Sequence, residues 1–162
     1  MNDATLRREL VRLLETRDAH MPYEEAVADF PDDAINRRPP NVEYTPYELL
    51  EHLRLVQFDL LDYATNPDYE ERPWPEGAWP PPGTTATQAD FDRSIEGFLA
   101  DRSELRRLIE DPSTDLFRVV RGSPGHTLLR EIRIAGDHCA YHVGEFAVLR
   151  QVMGTWPASR HD

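Results

Sequence analysis

Four long stretches of this chain place apolar residues three and four positions apart, and each stretch is fenced by capping or helix-breaking residues. That pattern leaves packed amphipathic helices as the dominant way to bury a core. In the first, Leu6, Leu10, Leu13 and Leu14 share a face behind a cap at Asn2 or Asp3, and the helix is expected to end near Asp18 and His20. A short pattern follows in Tyr23, Ala26, Val27 and Phe30, closed by Pro31, and residues 31–44 then read as an irregular connection. Thr45 with Pro46 at the first helical position and Glu48 three residues after the threonine is a strong start for the second long helix. Leu49, Leu53, Val56, Leu60 and Ala64 form its stripe, and Asn66-Pro67 stops it. Thr87 and Asp90 start the third, with Phe91, Ile95, Phe98, Leu105 and Ile109 before Asp111-Pro112. The fourth runs from Thr127 to about Gly154 through Leu128, Ile132, Ala135, Cys139, Val143, Phe146, Leu149 and Met153.

Between the second and third of these lies residues 67–86, with Pro67, Pro73, Pro75 and the run Pro80-Pro81-Pro82 alongside Trp74 and Trp79. Proline at this density excludes both a helix and a central strand. A loop of that length in a compact domain has a reason to exist; either it covers a site, or its tryptophans pack on the outside of the bundle. With no strand pattern and no internal repeat, the reading is all-α. It is a four-helix bundle over residues 1–162 as a single domain, with an additional short helix after the first helix and a long Pro/Trp-rich loop between the second and third bundle helices. At 162 residues and 40% hydrophobic content, one core is enough, burying roughly 70% of the unfolded surface.

Charge narrows the function classes. A net charge of -12 with no offsetting basic stripe opposes contact with a phosphate backbone, so no nucleic-acid partner is expected. No apolar run approaches the roughly 18 residues of a membrane span, and the first ten residues are polar and amphipathic rather than a signal peptide, so no membrane partner and a cytoplasmic location are expected. The single cysteine, Cys139, falls inside a helical apolar pattern, where a thiol acts as a small hydrophobe.

The chemistry-bearing residues are histidines. His138 and His142 stand one turn apart, about 40° around the fourth long helix, and can point two imidazole nitrogens at one ion. His52 lies about 60° from Leu49, on the rim of the apolar stripe of another helix, and is the natural third ligand. Three nitrogens leave a fourth position for water or substrate, as in catalytic rather than structural zinc sites. An H-x-x-x-H pair alone also arises in solvated or hydrogen-bonded histidines, and this one lacks the glutamate after the first histidine that zinc proteases use. His20 and His126 flank helix ends, and His161 sits in a polar tail. Asp59, two turns beyond His52, is a candidate acceptor for a ligand's second nitrogen, against the plainer reading of a solvated helix carboxylate.

The segments YTPYELLEHLR (residues 44–54) and DHCAYHVGE (residues 137–145), with AHMPYEEAV (residues 19–27) and the Trp/Pro-rich loop, resemble the DinB-like superfamily of bacterial metal-binding four-helix bundles. The resemblance spans nearly the whole chain. It implies a divalent metal ion, nickel or zinc, held by His52, His138 and His142. It further implies a metal-dependent enzyme of the thiol-dependent transferase or hydrolase type acting on a small molecule, with a low-molecular-weight thiol and a homodimer as expected partners. The alternative is a non-catalytic metal-binding or stress-associated protein whose triad is structural. Many relatives carry Gln where this chain has Glu145, which leaves Glu145 open as a fourth ligand, a general base or a surface residue.

Overall fold

The computed structural model describes residues 3–15 and 17–158. Among them are five α-helices and no strand: α1 (Asp3–Glu15), α2 (Tyr23–Val27), α3 (Pro46–Thr65), α4 (Gln88–Glu110) and α5 (Leu128–Met153). Three of the four long helices begin as their capping residues dictate. Thr45 Oγ1 accepts from the Glu48 amide at 3.1 Å, and the Glu48 carboxylate accepts from the Thr45 amide at 2.7 Å, closing a capping box ahead of Pro46. Thr87 and Asp90 repeat the device at α4, and Thr127 caps α5. Gly154 ends α5 in the left-handed region at φ 65°, where a side chain would be strained.

α1 and α3 each pack against both α4 and α5, so the perimeter of the bundle runs α1–α4–α3–α5. At the α1–α5 crossing Gly136 lets the backbones approach; a Cβ there would stand 2.5 Å from Leu13 Cγ. The core falls into two layers. One gathers Leu10, Leu14, Leu105, Ile109, Leu128 and Ile132. The other gathers Leu49, Leu50, Leu53, Phe91, Phe98, Val143 and Phe146 around Tyr23 and Phe30 of the α2 region, with Tyr23 stacked on Phe98 at 4.0 Å. α2 is fixed to α5 from below by Arg150, a fully buried guanidinium that donates to the carbonyls of Ala26, Ala28, Asp29 and Thr155.

Four local features depart from the sequence expectation. α1 runs to Glu15, and residues 17–20 are not helical, so it stops short of Asp18 and His20; the alternative cap at Asn2 lies outside the described residues. α2 stops at Val27 instead of reaching Phe30, since Asp29 turns into the left-handed region at φ 51°. A 3-10 turn at Asp32–Ala34 interrupts the irregular connection, and another at Glu76–Ala78 interrupts the Pro/Trp loop. No helix among the described residues is long and apolar enough to cross a membrane.

Candidate metal centre

His52 sits in the second turn of α3 and is buried at 3% exposure, while His138 and His142 lie mid-way along α5, the helix packed beside α3. Each of the three offers a ligand atom, and these atoms all lie within 4.8 Å of one another. His52 Nε2 stands 3.1 Å from His138 Nε2 and 3.2 Å from His142 Nε2. For bonds of about 2.0–2.1 Å, tetrahedral ligand nitrogens stand roughly 3.3 Å apart, so the spacing suits one small divalent ion.

The hydrogen bonds on the far sides of two rings decide which nitrogen is bare. A carbonyl only accepts, so His52 Nδ1–H donates to Ala78 O at 2.7 Å and leaves Nε2 with its lone pair. The Glu145 carboxylate likewise accepts from His142 Nδ1–H at 2.7 Å and leaves that Nε2 bare. Two lone pairs facing each other at 3.2 Å repel unless a cation lies between them. The donor set therefore fits a metal ion, with Ala78 and Glu145 in the role of outer acceptors that fix ring tautomer and orientation.

Electrostatics favour the same form. Burial pushes the His138 imidazolium down to about 3, with His142 and His52 adding to the effect, and burial followed by the charge of His52 pushes His142 down to about 4. His52 is also lowered, burial outweighing the Ala78 carbonyl. All three rings are thus neutral, the ligating state, at pH 7. Burial raises the Glu145 carboxyl, and raises the Cys139 thiol to about 12, which keeps that sulfur out of thiolate chemistry.

The Pro/Trp loop supplies the roof. Trp79 stacks on His52 with centroids 3.9 Å apart and planes within 8°, next to the Ala78 carbonyl, while Trp74 points to solvent at 75% exposure. Trp79 thus covers a triad ring, whereas Trp74 neither covers the triad nor packs closely on the outside of the bundle. Glu48, one turn before His52, accepts from the Gly83 amide and so ties the far end of the loop to α3.

A family model of the DinB superfamily matches residues 15–146, which includes all three histidines and most of the chain. The chain belongs to the DinB superfamily. No curated protein and no solved structure matches it. In this DinB-like chain the other sequence candidates go elsewhere. Asp59 accepts from the Tyr69 hydroxyl and pairs with Arg72, each at 3.2 Å, and so anchors the start of the loop rather than a triad ring. His126 meets Tyr63, and His20 meets the Met21 carbonyl; His161 lies outside the described residues. Sequence reasoning missed Ala78 and the pairing of Trp79 with His52, because a loop without periodicity carries no signal for which of its residues face a site. The role of Glu145 had one local signal, the i,i+3 spacing from His142.

Proposed function

We propose that this protein is a metal-dependent enzyme acting on a small molecule, of the thiol-dependent transferase or hydrolase type, with His52, His138 and His142 holding a nickel or zinc ion. The observation that carries the reading is the pair of bare Nε2 lone pairs on His52 and His142, with His138 Nε2 beside them. Membership of the superfamily supports the same ligand set. The ligand group comprises three imidazoles and, among the described residues, no carboxylate or thiol, which supports an open position for water or substrate rather than a closed structural sphere.

When bound, the ion supplies a Lewis acid that makes a nearby thiol or water more acidic. The chain's own residues do the rest. Ala78 O and Glu145 hold two rings in the ligating tautomer, and Trp79 covers the face of His52 and limits water there. A low-molecular-weight thiol as co-substrate and a homodimeric assembly belong to the same proposal. The test is turnover of an electrophile with added thiol, and of an activated ester without it, by metal-free, nickel-loaded and zinc-loaded protein. The reading expects activity that chelator removes, that the ion restores, and that is absent in His142→Ala; equal rates with and without metal in both assays would overturn it.

A further inference from the structure

Glu145 has a second neighbourhood besides His142. It lines a groove of about 410 Å³ whose other walls include Pro39, Pro40, Val42, Tyr141, Val148 and Val152. Tyr141, Val148 and Val152 lie 70%, 61% and 59% exposed, so this apolar wall faces solvent. From Glu145 to Val152 is seven residues of helix, about 10 Å. Gly144 forms part of the groove, and a Cβ added there meets nothing within 4 Å. Among the described residues that line the groove, Glu145 is the sole charged side chain.

An apolar trough with a single carboxylate at the triad end has the chemistry to recognise an apolar tail carrying one positive charge. A carboxylate offers about four lone-pair sites, and His142 takes one of them, so Glu145 retains capacity for a second donor. The net charge of -12 draws cations toward the surface and repels anions. We propose that this groove is a substrate subsite for an amphiphilic amine, its aliphatic or aromatic tail lying along α5 and its ammonium paired with Glu145. The role as a substrate subsite rests on the metal-centre reading; the binding itself does not require the ion.

The experiment is calorimetric titration of octylamine, octanol and octanoate into metal-free and zinc-loaded protein, below their aggregation limits. Charge-assisted pairing with Glu145 predicts octylamine binding about tenfold tighter than octanol, with octanoate weakest, with or without zinc. Gly144→Leu fills the groove and replaces a helical glycine by a good helix former, so helicity is kept while amine and alcohol both weaken about tenfold or more. Glu145→Gln removes the preference for amine over alcohol and leaves octanol within about twofold. Equal binding of the three probes, or unchanged binding in Gly144→Leu, overturns the proposal. So does a dimer in sedimentation velocity that Gly144→Leu dissociates and that takes up no amine, because the groove then holds a second copy. Amine binding without any zinc binding refutes the metal reading alone, and zinc binding without amine binding refutes the groove alone.

Discussion

Acidification of the metal-free protein offers a direct check on the buried triad. An unfolded histidine titrates near 6.5, whereas His138 and His142 are held down to about 3 and about 4 by burial and by their neighbours. Their folded values are depressed, so the unfolded state takes up protons first as pH falls below about 6.5. Stability is therefore lost from about pH 6.5 down to about pH 4 for His142 and about pH 3 for His138, and levels off below those values. From pH 7 to pH 5 each ring costs about 2 kcal/mol, at 1.36 kcal/mol per unit of separation, and the two together cost about 4 kcal/mol. For a chain of this size that corresponds to a fall in Tm of about 10 °C. The raised carboxyls of Glu145, Asp59 and Asp101 act in the opposite sense, gaining stability as pH falls, so the comparison is made against His138→Gln, whose slope is shallower by about one proton. Thermal melts followed by circular dichroism at half-unit steps, with chelator present, measure this. A Tm that is flat from pH 7 to pH 5, or a slope unchanged by His138→Gln, refutes the burial of neutral imidazoles.

Glu145→Ala removes the acceptor of His142 Nδ1–H and is expected to weaken zinc binding about 10–100-fold by calorimetry, while Glu145→Gln, which keeps an acceptor oxygen, recovers most of that loss. Asp59→Ala frees Tyr69 and Arg72, so hydrogen exchange should rise across residues 69–72 with zinc affinity unchanged. Arg150→Leu strips the donor from four carbonyl partners, those of Ala26 and Thr155 buried and those of Ala28 and Asp29 part-buried, and is expected to cost about 3 kcal/mol in urea unfolding, with α2 the region most exposed to exchange.

The helix starts were legible because their chemistry is local: Thr45-Pro46 with Glu48, Thr87 with Asp90, and Thr127 each satisfy the first turn from within a few residues. The grouping of His138 and His142 is likewise a matter of one helical turn. Bringing His52 to them is a tertiary event, and only the apolar rim position and the family resemblance pointed to it. Asp59 shows the limit of angular reasoning. Seven residues bring it back to the flank of His52, but about 10 Å further along the axis, where it meets Tyr69 and Arg72 instead of an imidazole. Arg150 was illegible for a different reason. A guanidinium buried in an apolar stripe is stable only because the end of α2 turns several carbonyls toward it, and nothing in its own segment announces those partners.

The central claim is that three imidazoles form one divalent-metal site, and the most direct measurement is metal content and affinity of protein purified without a histidine tag. Elemental analysis after dialysis against zinc or nickel, followed by calorimetric titration from pH 7.5 to pH 5, should give one ion per chain. His142→Ala should weaken binding by several kcal/mol with helicity intact, and the affinity of the folded wild-type chain should change little from proton competition at His138 and His142 across that range, because burial holds these rings neutral down to about pH 4. Less than a tenth of an ion per chain would contradict the account, and an affinity unchanged by His142→Ala would assign the ion to other ligands.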